Sequence, residues 1–210
     1  MPQSITRRTG LAILIAACAL GAAPANADQS AEAFVAKILD EANEVFKAPD
    51  RASRDAGIER LVDSYVDMKR VAMFALGQYG RVITPEQKEI YFPLVRRYSM
   101  QIYQEALSQY NGQRLKVTGS IDRAANDIIV SSRFADVKPG EPFAETIFTW
   151  RVYRAADGKL SVVDAGADGV WLAIEQQSQF KSVIANNGGG VAGIDALIAD
   201  LKRKIGSQPL

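Results

Sequence analysis

Histidine is absent from the 210 residues of this chain, and cysteine occurs once. The first absence removes the Ser-His-Asp and Cys-His triads and every imidazole metal ligand. The second removes any internal disulfide and any zinc site built from several thiolates. Charge is nearly balanced, 25 Lys+Arg against 24 Asp+Glu, so no broad field draws the chain to nucleic acid. There is no Gly-x-Ser-x-Gly elbow, no P-loop, and no Gly-x-Gly-x-x-Gly after a strand. Gly188-Gly189-Gly190 lacks both the lysine and the preceding strand of a phosphate loop and reads as a flexible connection.

Apolar residues, by contrast, make up 48% of the chain, enough to bury a core in a single domain. The first of them belong to an address. Arg7 and Arg8 precede an apolar run from Leu11 to Ala23, followed by the small-residue box Ala25-Asn26-Ala27. This is the pattern of a cleaved secretory signal, and the run is shorter than the roughly 20 residues a membrane-spanning helix needs. Cleavage after Ala27 leaves Asp28 to Leu210 as one domain. It removes the only cysteine, Cys18, and two positive charges, so the formal charge passes from +1 to −1. Two variants of this reading stay open. Ile15-Ala16-Ala17-Cys18 loosely matches a lipoprotein box, and Thr6-Arg7-Arg8-Thr9-Gly10-Leu11 a weak twin-arginine signal. Every variant exports the chain, and a bacterial periplasm is the expected compartment.

Helical periodicity fills the first half of what remains. Phe34, Val35, Ile38, Leu39, Ala42, Val45 and Phe46 make a stripe that ends before Pro49. A second helical region from Asp55 to Leu76 should break near Val66-Asp67, with Asp67 capping the second piece. Thr84-Pro85-Glu86-Gln87 is a capping box with proline at the first helical position. The helix it opens should run to about Tyr110, kinked at Pro93, with Tyr91, Leu94, Val95, Tyr98, Ile102, Ala106 and Leu107 as its stripe. After Gly112 the period becomes two. Four strands follow, with turns at Asn126-Asp127 and Asp157-Gly158. Helix returns from Trp171 to Ala185 and from Ile194 to Ile205. The fold class is α+β: helices packed on one face of a curved antiparallel sheet of about four strands, enclosing an apolar cavity if the stripes leave room.

Acid–base chemistry here would fall to carboxylates, tyrosines or lysines. The pairs Asp164 with Asp168 and Asp122 with Asp127 are candidates, but both flank turns, where solvated aspartate is ordinary. Tyr79, Tyr91, Phe92, Tyr98, Tyr103 and Tyr110 crowd the middle helices, with Trp150 and Trp171 in and after the sheet. They suit either a plain core or the lining of a cavity for an apolar ligand, and composition does not separate the two.

The segment Tyr65-Val66-Asp67-Met68-Lys69-Arg70-Val71-Ala72-Met73-Phe74-Ala75-Leu76-Gly77-Gln78-Tyr79, followed by Thr84-Pro85-Glu86-Gln87, resembles the MlaC (toluene-tolerance) family of periplasmic phospholipid-binding proteins. Tyr110-Asn111-Gly112, Val162-Val163-Asp164, Asp168-Gly169-Val170, Gln179-Phe180 and the stretch Ile194 to Leu201 continue the similarity across about Phe34 to Ile205. Each motif is weak alone; their order and spacing are specific. Departures occur at Gly80, at Leu160-Ser161-Val162-Val163 and at Gln176-Gln177, and they leave room for another apolar cargo, such as a hopanoid-type lipid.

The resemblance implies a carrier that shuttles phospholipid between an inner-membrane ABC transporter with a periplasmic lipid-binding subunit and an outer-membrane lipoprotein complex, maintaining outer-membrane asymmetry. It implies no cofactor and no catalysis. On this reading the cavity walls are expected from Val71, Phe74, Ala75 and Tyr79 on one helix and from Tyr91, Val95, Tyr98 and Ile102 on the next. Val130, Phe148, Trp150 and Val152 would close it from the sheet, with Trp171 at the mouth. Arg81 and Arg151 are weaker candidates for a phosphate contact. Two competing functions remain: an isomerase or hydratase of the cone-shaped kind, which needs a carboxylate buried in the cavity, and an adaptor that binds only proteins.

Overall fold

A computed structural model describes residues 28–108, 113–138, 140–141 and 143–206. The leader and the Tyr110-Asn111-Gly112 motif lie outside the described residues.

Side-chain caps set the helix starts. Helix α1 (Gln29–Phe46) begins where the Asp28 carboxylate accepts from Ala31 N. Helix α2 (Arg51–Tyr65) begins where Asp50 accepts from Ser53 N at 2.8 Å. It therefore starts four residues before the apolar pattern does, because a cap acts through its own oxygen rather than through periodicity. The expected break follows. Val66 leaves the helix and forms a parallel bridge with Val162, Asp67 N donates to Val162 O at 3.0 Å, and the Asp67 side chain caps α3 (Met68–Leu76). A short 3-10 turn (Gly77–Arg81) leads to α4 (Pro85–Ser108), which contains Pro93. Its capping box closes reciprocally. Gln87 N donates to Thr84 Oγ1 and Thr84 N donates to Gln87 Oε1, both at 3.2 Å.

The sheet is a meander of five antiparallel strands in sequence order: β1 (Leu115–Ala124), β2 (Asp127–Phe134), β3 (Phe148–Arg154), β4 (Leu160–Ala167) and β5 (Val170–Trp171). The fifth corrects the sequence reading, which gave Trp171 to a helix. Asp168 and Gly169 both adopt positive φ, 49° and 84°, the geometry of a two-residue hairpin. It returns the chain so that Trp171 pairs with Gly166. Glycine is required at 166, since a Cβ there would stand 2.2 Å from Val170 O. Helix α5 (Leu172–Asn186) starts directly from β5, and α6 (Gly190–Gly206) starts inside the glycine-rich stretch.

Three apolar clusters hold these elements together. The largest joins α3, α4, α5 and α6 through Leu76, Tyr91, Val95, Phe180, Ile184, Ile194 and Leu201. A second fixes α1 on the sheet, with Ala31, Val35 and Leu39 against Ile128, Val130 and Val152. The third is smaller and joins α2 to α4 through Ile58, Val62 and Met100. Among the described residues no helix is long and apolar enough to cross a membrane.

Candidate functional site

The clusters around α1, α2 and the sheet do not close completely. Between them lies a cavity of about 280 Å³, too large for a packing defect. Helix α1 contributes Ile38, Leu39, Ala42 and Phe46, and α2 contributes Ile58, Leu61, Val62 and Tyr65. Tyr103 and Leu107 come from the end of α4, and Leu115, Phe134, Phe148 and Trp150 from the sheet. Val162 to Ala165 of β4, Leu172 and Ala173 at the start of α5, and Asn43, Val66, Val71 and Ala106 complete the wall. The lip includes the exposed Ala106 and Leu172, and the half-buried Phe134 and Phe148, whose rings meet edge-on at 5.0 Å.

The sequence periodicities explain why this wall is apolar. The stripe of α1 is wider than one contact row, so Ala31, Val35 and Leu39 cover the sheet while Ala42 and Phe46 continue past it over open space. Tryptophan at 150 brings a polar edge into the wall, but its indole N–H donates to the buried Ser132 hydroxyl at 3.0 Å. Only its ring is left to the cavity.

Four other polar side chains reach the wall: Asn43, Tyr65, whose hydroxyl donates to Glu41 Oε1 at 2.7 Å, Tyr103 and Asp164. Asp164 is buried, and Oδ1 accepts from Ala165 N at 2.8 Å and from Ala173 N at 2.9 Å. Burial raises its pKa against the opposing pull of those two N–H groups and of the Arg151 charge. Its second bond replaces a missing cap, because the N-cap position of α5 is Trp171, which offers no oxygen. The Tyr103 phenol is pushed up to about 12, first by burial and then by the nearby Asp164 charge. It is therefore neutral at physiological pH, and close by Gln176 Nε2 donates to Ser99 Oγ at 3.2 Å. Among the described residues no fully buried side-chain nitrogen or oxygen lacks a hydrogen-bond partner. Among the described residues no group of three or more acidic or thiol side chains could hold a metal.

Of the residues expected to line a cavity, the structure brings three together in this wall: Val71, Phe148 and Trp150. The others sit elsewhere. Ala75, Tyr91 and Val95 belong to the buried core between α3, α4, α5 and α6, with Tyr79 and Tyr98 packed against it. Tyr91 donates its hydroxyl to Ala72 O at 2.8 Å, so even its polar end is used internally. Val130 and Val152 lie beneath α1 in the second cluster. Phe74 is 37% exposed, and Ile102 is half-buried on α4 outside the wall. Trp171 is half-buried at the end of β5, while its neighbour Leu172 takes the place at the lip. The facing stripes of α3 and α4 were expected to enclose a cavity; instead α5 and α6 fill the space between them. Arg151 makes a two-pronged pair with Asp127 at 2.8 and 2.9 Å, and Arg81 is exposed. The wall residues of α1 and α2 were visible in the sequence as apolar stripes, but nothing local distinguished them from core.

Comparison with known proteins agrees with this architecture. The family model described as MlaC protein matches residues 29–203. Among solved structures, the phospholipid-binding protein from Ralstonia solanacearum, determined in complex with a phospholipid, superimposes with a TM-score of 0.68 at 26% sequence identity. The match covers 84% of this chain and 97% of the other. With the family pattern running from the first turn of α1 into the last turns of α6, this chain belongs to the MlaC family.

Proposed function

We propose that this protein is a periplasmic phospholipid carrier that holds acyl chain in the cavity between α1, α2 and the sheet. The observation that carries the reading is an apolar-lined cavity in a chain whose solved relative binds phospholipid. A 16-carbon tail exposed to water represents on the order of 12 kcal/mol, at about 0.8 kcal/mol per methylene. Crossing an aqueous compartment therefore requires an apolar wall like this one, with its buried polar atoms satisfied internally. The head group stays at the lip and needs no dedicated charged site. The carrier works after export and removal of its leader, and it exchanges lipid with an inner-membrane ABC transporter complex and an outer-membrane lipoprotein complex. Family membership and the exported character of the sequence support that part of the reading.

Asp164 favours a second reading, since a buried carboxylate at a cavity is what an isomerase or hydratase would need. Its Oδ1 is committed to two backbone N–H groups, and this supports a structural role instead.

Native mass spectrometry of protein purified without detergent should show bound phospholipid. Ala42→Trp and Leu61→Trp each place an indole in the cavity. Displacing four methylenes costs about 3 kcal/mol, or about a hundredfold in affinity. Both variants should lose lipid and keep the melting transition of a folded protein. Retention of lipid in both would overturn the placement. Folded protein that never takes up lipid from vesicles would overturn the carrier itself.

A further inference from the structure

Asp28 holds two positions at once. In the sequence it directly follows the Ala25-Asn26-Ala27 box. In the fold it caps α1. Three elements converge on it. Its main-chain nitrogen donates to Ser120 Oγ of β1 at 2.8 Å, and that hydroxyl donates onward to Glu32 Oε1 at 2.8 Å. Its carboxylate accepts from Ala31 N at 3.0 Å and from Ser30 Oγ at 2.6 Å, and it pairs with the Arg154 guanidinium of β3. Arg154 Nη2 also reaches Ser30 Oγ at 2.9 Å. Partial burial pushes the Asp28 carboxyl up, but these hydrogen bonds and the Arg154 charge outweigh it and hold the group at about 2. Asp28 and Glu32 then bring two negative charges against one positive charge on Arg154. Among the described residues of this hydrogen-bonded cluster two negative charges thus face one positive charge, around a backbone nitrogen.

We propose that cleavage of the Ala27–Asp28 bond supplies a second positive charge, and that the new α-ammonium of Asp28 is a structural part of the mature fold. Hydrolysis adds one water across the peptide bond. Ala27 leaves with the new carboxylate, and Asp28 keeps the amine, which is mostly protonated at neutral pH because an α-amino group titrates near 7.7–8.0. The ammonium retains the bond to Ser120 Oγ and lies one hydroxyl away from Glu32. The cleavage box and the tethered cap are independent observations, one of sequence and one of fold, and they point to the same bond. The proposal does not depend on what the cavity carries.

The sign of the effect makes it testable. A positive charge at a helix N-terminus is ordinarily unfavourable. With no receiving cluster, blocking the amine would therefore stabilise the protein. Here blocking should destabilise it. Three forms are compared at neutral pH and low salt: the chain beginning with free Asp28, the same chain Nα-acetylated, and a chain retaining Ala27. The free-amine form should melt about 2–4 °C above both others, as one modest ion-pair interaction does in a domain this size. The gap should close in Glu32→Gln and narrow as salt rises. Ser120→Ala gives the same reading should Glu32→Gln fail to fold. Equal melting of the first two forms, a higher melting point for the acetylated form, or an unchanged gap in the Glu32 and Ser120 variants would overturn the docking. Intact mass of protein exported with its own leader should place Asp28 first, and any other N-terminus would overturn the assignment of the bond.

Discussion

Replacing Asp164 tests whether a strand side chain caps a helix that has no cap of its own. In Asp164→Ala, Ala165 N and Ala173 N lose the carboxylate oxygen that accepts from both, and Ala173 is buried. Bonds from N–H to a charged acceptor contribute about 1.5–3 kcal/mol each, and loss of a helix cap alone costs about 0.5–2 kcal/mol. Against this stands relief of the burial that raises the carboxyl pKa. The balance is a loss of about 2–3 kcal/mol, which in a domain of this size lowers the melting temperature by about 5–10 °C. Asp164→Asn keeps an acceptor oxygen and should lose less than half as much.

The pH dependence has a fixed sign. The folded state binds the Asp164 proton more tightly than the unfolded chain, where an aspartate titrates near 3.9. Through the window from about 3.9 up to the raised folded value, this group makes stability fall as pH rises. The Asn variant lacks that slope, so the wild type should gain on it as pH drops through the window. Thermal and urea unfolding across pH 4 to 7 measure both effects. An Ala variant as stable as Asn, or a wild-type-minus-Asn difference of the opposite slope, would refute the capping argument.

Two further outcomes follow from other parts of the fold. Gln87 is buried, completes the capping box, and donates through Nε2 to Val191 O at 3.0 Å and Asp195 Oδ1 at 2.7 Å. Gln87→Ala breaks the cap and the tie to α6 together and should cost about 2–3 kcal/mol in urea unfolding, with Gln87→Glu losing part of it through repulsion from Asp195. Gly193 lets α6 approach α5, and a Cβ there would stand 2.4 Å from Ile184 O. Gly193→Ala should therefore destabilise by more than about 1 kcal/mol, although alanine is the better helix former. A melting point at or above wild type would show that the helices can separate freely.

Local chemistry was legible wherever a residue acts on its own neighbourhood. Asp67 and the Thr84–Gln87 box cap helices over three or four residues, Asp157-Gly158 turns a hairpin, and alternation marks the strands. Those signals fixed the α+β class, the order of elements and the break at Val66, because hydrogen bonds to nearby backbone groups depend little on the rest of the fold. The motif order identified the family.

What tertiary structure alone decided is which apolar surface meets protein and which meets the cavity. Tyr91 and Val95 carry the same periodicity as Ile38, Ala42 and Phe46, yet α5 and α6 cover the first pair and leave part of the second set facing a void. Periodicity reports that a face avoids water and says nothing of what covers it. Trp171 likewise became a strand residue through pairing with Gly166, and Asp164 became the cap of α5 from nine residues away. Both depend on where the chain returns after the Asp168-Gly169 turn, and that position is set by packing of the whole sheet and its helices.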